Sequence, residues 1–344
     1  MKKLPLLYAL FTFLFLTAFG QAPLKHTDNS NWLIDIADSV SIGDINLPGS
    51  HDAAAINPKG STPYACHSNT IPEQLESGIR LLDIRLKVKG DSPNYTFATC
   101  HGDVFGGTWG FNEYQSFTSV LDECKDFLTR HPSEFIVMTL KIDDWNKSDD
   151  KENVYSALLS EISKYPIYNT ADSNLPMLGN VRGKIYLINR INSTNEFGVP
   201  LAVPDKKSEM VPAVSALRAY PIYVQDVYED MASPAEETKL TLVENAIAIK
   251  RSGDRLVVLN FASGRQGFLN LNKVYIQDKL LAYFGSMDVA NRPAKLGWIL
   301  FDYDNWQFKT DIYGNVDIVK VIISSNFGYN KYPAKFKVLP EKHE

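Results

Sequence analysis

The ionisable residues of this 344-residue chain recur where short apolar runs end. His51 lies in NLPGSHDAAA (46–55), after the apolar pair Ile45 and Leu47. The pattern predicts a short strand, Asp44–Leu47, broken by Pro48-Gly49, with Ser50-His51-Asp52 presented on the following turn. Asp83 and Arg85 end GIRLLDIRL, and His101 follows TFATC in the run CHGD. Lys141 closes EFIVMTLK, Arg190 follows GKIYLIN, Asp226 and Tyr228 fall in YVQDVY, and Asp302 ends GWILFD. An imidazole titrates near neutrality, so two histidines can serve as general base and general acid. Arginine holds the oxygens of a phosphate with its planar fork. Two histidines beside arginine and lysine, with no dense carboxylate cluster expected, suit an anionic phosphoester better than a metal. A metal would need a convergent ligand set, and Arg85 and Lys141 bring cations to the same place.

Elements that alternate along the chain must position these groups. Strands are expected at Asp44–Leu47, Ile79–Leu86, Tyr95–Thr99, Glu134–Lys141, Gly183–Ile188, Ile222–Val224, Arg255–Phe261 and Gly297–Phe301, mostly short and apolar, as for strands buried on both faces. Apolar residues at three- and four-residue steps predict helices over Gln115–Arg130, Lys151–Lys164 and Pro234–Arg251. Strands interleaved with helices over some 300 residues, without repeat or linker, predict one α/β domain, a TIM-type (β/α)8 barrel. Chemistry in such a barrel gathers at the C-terminal ends of the strands, where every residue named above is expected.

Composition narrows the partners. A net charge of -5 gives no basic footprint, so no nucleic-acid partner is expected. Lys2-Lys3, the apolar run LPLLYALFTFLFLTAF and Ala18-Phe19-Gly20 have the order of a secretory signal over residues 1–20. The chain is therefore expected to be exported, secreted or periplasmic, with the catalytic barrel over residues 21–344. In that oxidising setting Cys66, Cys100 and Cys124 allow one disulfide, with the pairing open. Cys66 or Cys100 as a nucleophile is the sharper alternative, and a small buried hydrophobe the commoner role. His67, in the loop after Cys66, reads as a surface histidine, and Phe105, Trp109 and Phe111 as aromatics of a Gly-rich loop that either pack over the barrel mouth or meet lipid.

NLPGSHDAAA, TIPEQLESGIRLLDIRLK, CHGD and PSEFIVMTLK, in that order, resemble the X-domain of phosphatidylinositol-specific phospholipase C, in its bacterial, secreted, metal-independent branch. The resemblance spans roughly residues 41–306 and implies an irregular, incompletely closed barrel. It implies His51 as general base on the inositol 2-hydroxyl and His101 as general acid for the diacylglycerol oxygen. Arg85 would stabilise the phosphate, Asp52 would assist at the leaving group, and Asp302 would orient His51. Asp83, Lys141, Arg190, Asp226 and Tyr228 would bind substrate, with Arg182 or Lys184 as competitors for the place of Arg190. Products would be diacylglycerol and inositol 1,2-cyclic phosphate. No metal or other cofactor is implied, calcium included, and the partner would be an inositol phospholipid at a membrane surface, met by a monomer. Two other readings stay open: a metal-dependent glycerophosphodiester-type phosphodiesterase, and a non-catalytic inositol-lipid binding domain.

Overall fold

A computed structural model describes residues 29–339, except 57–64, 106–107, 146–149, 169–174, 192–197, 215–218, 230, 253–255, 267–268, 271–274, 303–306, 328–331 and 333. The expected signal segment and Trp306 therefore lie outside the described residues. The strands are β1 (Leu47–Ser50), β2 (Leu81–Lys89), β3 (Thr96–Phe105), β4 (Thr108–Ser116), β5 (Ile136–Asp144), β6 (Ile185–Asn189), β7 (Val199–Pro200), β8 (Ser208–Val214), β9 (Ala219–Gln225), β10 (Val257–Phe261), β11 (Arg265–Gln266), β12 (Leu269–Asn270), β13 (Trp298–Phe301), β14 (Phe308–Thr310) and β15 (Gly314–Val316). The helices are α1 (Ile71–Ser77), α2 (Phe117–Arg130), α3 (Lys151–Ile162), α4 (Leu178–Val181), α5 (Ala235–Ser252), α6 (Tyr275–Ser286) and α7 (Ile318–Ser325).

The main sheet runs β7-β6-β5-β2-β1-β13-β10-β9-β8. Every pairing from β7 to β9 is parallel, and β8 joins β9 antiparallel. Among the described residues the sheet's two ends, β7 and β8, share no ladder, so the barrel is incompletely closed, as expected. Its membership differs from the expectation: β4, β7 and β8 join it as well. The run Tyr95–Thr99 is not a parallel barrel strand: β3 pairs antiparallel with β2 and with β4. The two-residue β7 takes the vacated place in the parallel set. The run VFGGTWGF, expected to be a loop, falls instead on β3 and β4, with Phe105 ending β3 and Gly110 within β4; Gly106, Gly107 and the side chains of Phe105 and Trp109 lie outside the described residues.

β1 also departs from expectation, because it includes Pro48 and Gly49 rather than ending before them. Ile42–Asp44 is instead a 3-10 turn. Pro48 has no N–H, but its carbonyl accepts from Arg80 N at 3.0 Å. Gly49 permits the close approach of β2, since a Cβ there would meet Leu81 side-chain atoms at 2.9 Å. The helices follow their apolar stripes. On α2, Phe117, Val120, Leu121, Cys124, Phe127 and Leu128 are buried, and Ser116 caps the first turn by accepting from Ser119 N. α7, the last helix, packs against β1, and just past it Asn326 Nδ2 donates to Asn46 O at 3.0 Å.

At the far end of β2 and β5 from the site, Arg80 and Glu134 form a fully buried ion pair of 2.8 Å. Arg80 also donates to the carbonyls of Leu75, Ile79 and Ser30, each at 2.7 Å, and its guanidinium covers the Phe127 ring. Glu134 accepts from Leu33 N at 3.2 Å, which ties the N-terminal 3-10 segment to the barrel floor. Removing one partner leaves a buried charge unmatched. Glu134→Ala should therefore lower the unfolding free energy by roughly 3–5 kcal/mol in a urea titration. Exchanging both for apolar residues, Arg80→Met with Glu134→Leu, should recover most of that loss.

Candidate active site

Strand periodicity aims the first group of side chains. Residues two apart share a face, so Asp83 and Arg85 project from β2 to one side while Leu82, Ile84 and Leu86 enter the core on the other. On β5 the same parity aligns Thr139, Lys141 and Asp143. The parallel register places Asp83 beside Thr139 and Arg85 beside Lys141. Lys141 therefore lies within β5 rather than closing it.

Arg85 is held by three carboxylates from three elements. Its Nη2 is 2.9 Å from Asp83 Oδ2, its Nη1 3.2 Å from Asp143 Oδ2, and its Nε 3.2 Å from Asp52 Oδ1. Asp83 takes a second cation, Arg190 Nη1, at 3.1 Å, and a hydrogen bond donated by Thr139 Oγ1. Burial alone would raise the Asp83 carboxyl, but Arg85 and Arg190 outweigh it and hold it well below the usual carboxylate range. Asp143 is held low against burial by Arg85 and Lys141, whose Nζ is 2.6 Å away.

The turn after β1 supplies His51 and Asp52. Asp52 adopts φ +41, a left-handed conformation that aspartate tolerates better than most residues, and this directs its carboxylate back over β2. Oδ2 of Asp52 is 3.6 Å from His51 Nε2 and 3.2 Å from His101 Nε2, so one carboxylate reaches both imidazoles. His51 Nδ1 is 2.8 Å from Asp302 Oδ1, just past β13. The imidazoles are 19% and 21% exposed, enough for a ligand to reach them from the rim. Burial disfavours the imidazolium of His51, but Asp52 and Asp302 prevail and raise its pKa to about 9.

His101 lies inside β3, not after a barrel strand as expected, because β2 outruns the barrel and its outer half pairs with β3. Arg190 Nη2 lies 3.7 Å from Asp226 Oδ2, and its guanidinium covers the Phe261 ring. The competitors are elsewhere: Arg182 pairs with Asp38, and Lys184 bonds Asn180 O. Tyr228, two residues past Asp226, has its hydroxyl 2.8 Å from Asp205 Oδ1 and Lys206 above its ring.

Three features went unanticipated. Asp143 makes five carboxylates converge, where no dense cluster was expected; it is legible in KIDD as the i+2 neighbour of Lys141. His67 is fully buried rather than on the surface, with Nε2 2.7 Å from His51 O, and so fixes the turn carrying His51. Lys239 reaches up from α5, fully buried, with Nζ 3.1 Å from Gln225 Oε1; burial lowers its pKa to about 7. None of the three cysteines is disulfide-bonded, and all are buried. Burial pushes the Cys66 and Cys100 thiols up, which removes the nucleophilic thiolate.

His51 in the ligand-free protein should titrate near 9 in NMR, and Asp302→Asn should move its midpoint down toward 6.5. A raised folded-state pKa contributes stability that is complete below about 6.5 and fades as pH rises through 9. Wild type should lose stability across that window relative to His51→Gln, as followed by denaturant titration.

The comparisons with known proteins point one way. Residues 59–191 match the family model described as phosphatidylinositol-specific phospholipase C, X domain. A 1-phosphatidylinositol phosphodiesterase of Staphylococcus aureus (strain Newman) is 26% identical over 315 residues, spanning 86% of this chain and 94% of that protein. The protein of that name from Listeria monocytogenes is 24% identical over 306 residues, 85% of this chain and 87% of its own length. Among solved structures, a phosphatidylinositol-specific phospholipase C of S. aureus matches with TM-score 0.72 at 24% identity, covering 87% of this chain and 98% of that one. The Listeria monocytogenes phosphatidylinositol-specific phospholipase C matches with TM-score 0.58 at 21% identity, covering 87% and 99%. Over residues 59–191 the chain thus matches the X domain of phosphatidylinositol-specific phospholipase C, and over most of its length it is similar to bacterial 1-phosphatidylinositol phosphodiesterases.

Proposed function

We propose that the protein cleaves the phosphodiester of phosphatidylinositol, or of a glycosylated relative, to diacylglycerol and inositol 1,2-cyclic phosphate. The observation that carries this reading is the Asp52 carboxylate, within 3.6 Å of His51 Nε2, 3.2 Å of His101 Nε2 and 3.2 Å of Arg85 Nε. A base, an acid and a phosphate-binding cation are thereby gathered about one point. In the reaction, neutral His51 takes the proton of the inositol 2-hydroxyl at Nε2, while Asp302 holds Nδ1 and stabilises the resulting imidazolium. The 2-oxygen bonds to phosphorus, the bond from phosphorus to the diacylglycerol oxygen breaks, and His101 gives that oxygen a proton. Arg85 balances charge on the non-bridging oxygens, Asp83, Lys141, Arg190 and Asp226 bind the inositol, and Tyr228 stacks on the sugar face. Each proton-transfer role is worth roughly 10²–10⁴ in rate.

A guanidinium already sits among the carboxylates of Asp52, Asp83 and Asp143, where a calcium ion would have to bind, which supports a reaction independent of calcium. It also disfavours a metal-dependent phosphodiesterase, and a binding-only domain has no need of paired imidazoles. Export rests on the Lys2-Lys3 and apolar leader, and N-terminal sequencing of protein recovered outside the cytoplasm should begin near Gln21.

The test is phosphatidylinositol micelles with excess chelator, followed by phosphorus NMR. A cyclic inositol phosphate signal is expected, lost by roughly 10²–10⁴ in rate in His51→Ala and in His101→Ala with the fold intact by circular dichroism. Turnover only after calcium is restored would overturn the metal-free mechanism. Wild-type rates in both variants would overturn the acid and base assignments.

A further inference from the structure

Cys66 has no part in the reaction above, yet its thiol lies at the heart of the site. The ligand atoms of His51, Asp52 and Cys66 all lie within 4.8 Å of one another. Asp302 binds His51 at Nδ1, leaving Nε2 as the coordinating nitrogen. A carboxylate on the second ring nitrogen is the support that metal-bound imidazoles commonly have. From Nε2 to Asp52 Oδ2 is 3.6 Å, close to the roughly 3.5 Å between donors that each stand about 2.0–2.3 Å from a tetrahedral zinc ion. Asp52 also has coordinating capacity to spare: its buried Oδ1 accepts no hydrogen bond, although Arg85 Nε is 3.2 Å away. The surrounding charge favours a cation, since Asp52, Asp83, Asp143, Asp226 and Asp302 face the permanent charges of Arg85, Lys141 and Arg190, with Lys239 beneath.

We propose that His51, Asp52 and Cys66 form an inhibitory site for a borderline-soft divalent cation of the zinc class. Thiolate and imidazole suit such an ion, whereas calcium and magnesium seek six or more oxygen donors. Coordination sends the thiol proton, and any proton on Nε2, to solvent. The metal then occupies the lone pair that His51 uses to take a proton, so binding and turnover exclude each other. Zinc thus acts on this protein in the sense opposite to a cofactor.

Cobalt(II) reports such a site directly, because a thiolate on cobalt gives a near-ultraviolet charge-transfer band and tetrahedral coordination intensifies the visible bands. Titrating the whole protein should give one equivalent of this signal, displaced by zinc and unaffected by calcium. Cys66→Ser, folded by circular dichroism and with Cys100 and Cys124 retained, should lose the charge-transfer band, and His51→Ala should weaken binding at least tenfold. No thiolate band in wild type, or a band that survives in Cys66→Ser, would overturn the site and leave adventitious metal binding only. In the phosphatidylinositol assay zinc should inhibit wild type, chelator should restore the rate, and Cys66→Ser should need at least tenfold more zinc. Zinc inhibition equal in both proteins would also overturn it. The inhibition arm rests on the proposed reaction and the spectroscopic arm does not, so the two readings fail separately.

Discussion

Three carboxylates from separate elements, drawn onto one guanidinium, hold this structure's working end together. Asp52 comes from the turn after β1, Asp83 from β2 and Asp143 from β5, all within 3.2 Å of Arg85. Unit charges this close interact by about 4 kcal/mol each at the effective dielectric of a protein surface. Without the cation, the same contacts would become repulsions among the acids. The turn that carries His51 and Asp52 is thus fixed by electrostatics on one side and, on the other, by His51 N donating to Phe301 O and by His67 beneath the His51 carbonyl. Lysine is not equivalent here, because its donors all radiate from one nitrogen, whereas the guanidinium meets the three carboxylates from Nε, Nη1 and Nη2.

His51 lives in the field those acids leave over. Asp302 fixes its orientation, and Asp52 and Asp302 together favour its charged form strongly enough to overcome burial. A base in such a position holds its acquired proton firmly, which suits a step that ends in an ion pair, but it must first be free of one. The same field makes the site receptive to cations generally. Guanidinium, imidazolium and a divalent metal are alternative answers to one excess of negative charge.

Much of this was legible in the chain because strand ends display chemistry. DIR in β2, HD after β1 and CHGD in β3 each place a polar group against an apolar run, and the barrel brings them together. What escaped reading had physical causes. Asp143 was hidden because β5 continues beyond Lys141, so parity adds a further side chain to the same face. The β3–β4 hairpin was hidden because the three glycines in VFGGTWGF have the composition of a loop. His67 and Lys239 were hidden because a buried polar residue is recognisable only by the partner that satisfies it, and those partners, His51 O and Gln225, are distant in sequence or lie on another element.

The two imidazoles stand on supports of different kinds. His51 is anchored to the parallel barrel, whereas His101 rides on an antiparallel hairpin whose register shifts between Ala98 and Cys100. The extra residue of that shift lies on β4, so the regular alternation of β3 itself decides which side of the ribbon His101 presents. An insertion or deletion of a single codon between Thr99 and His101 would turn the imidazole away from Asp52, while a change of two codons would turn it back. Length variation within this arm of the hairpin is therefore constrained by parity, so its evolution can proceed in even steps.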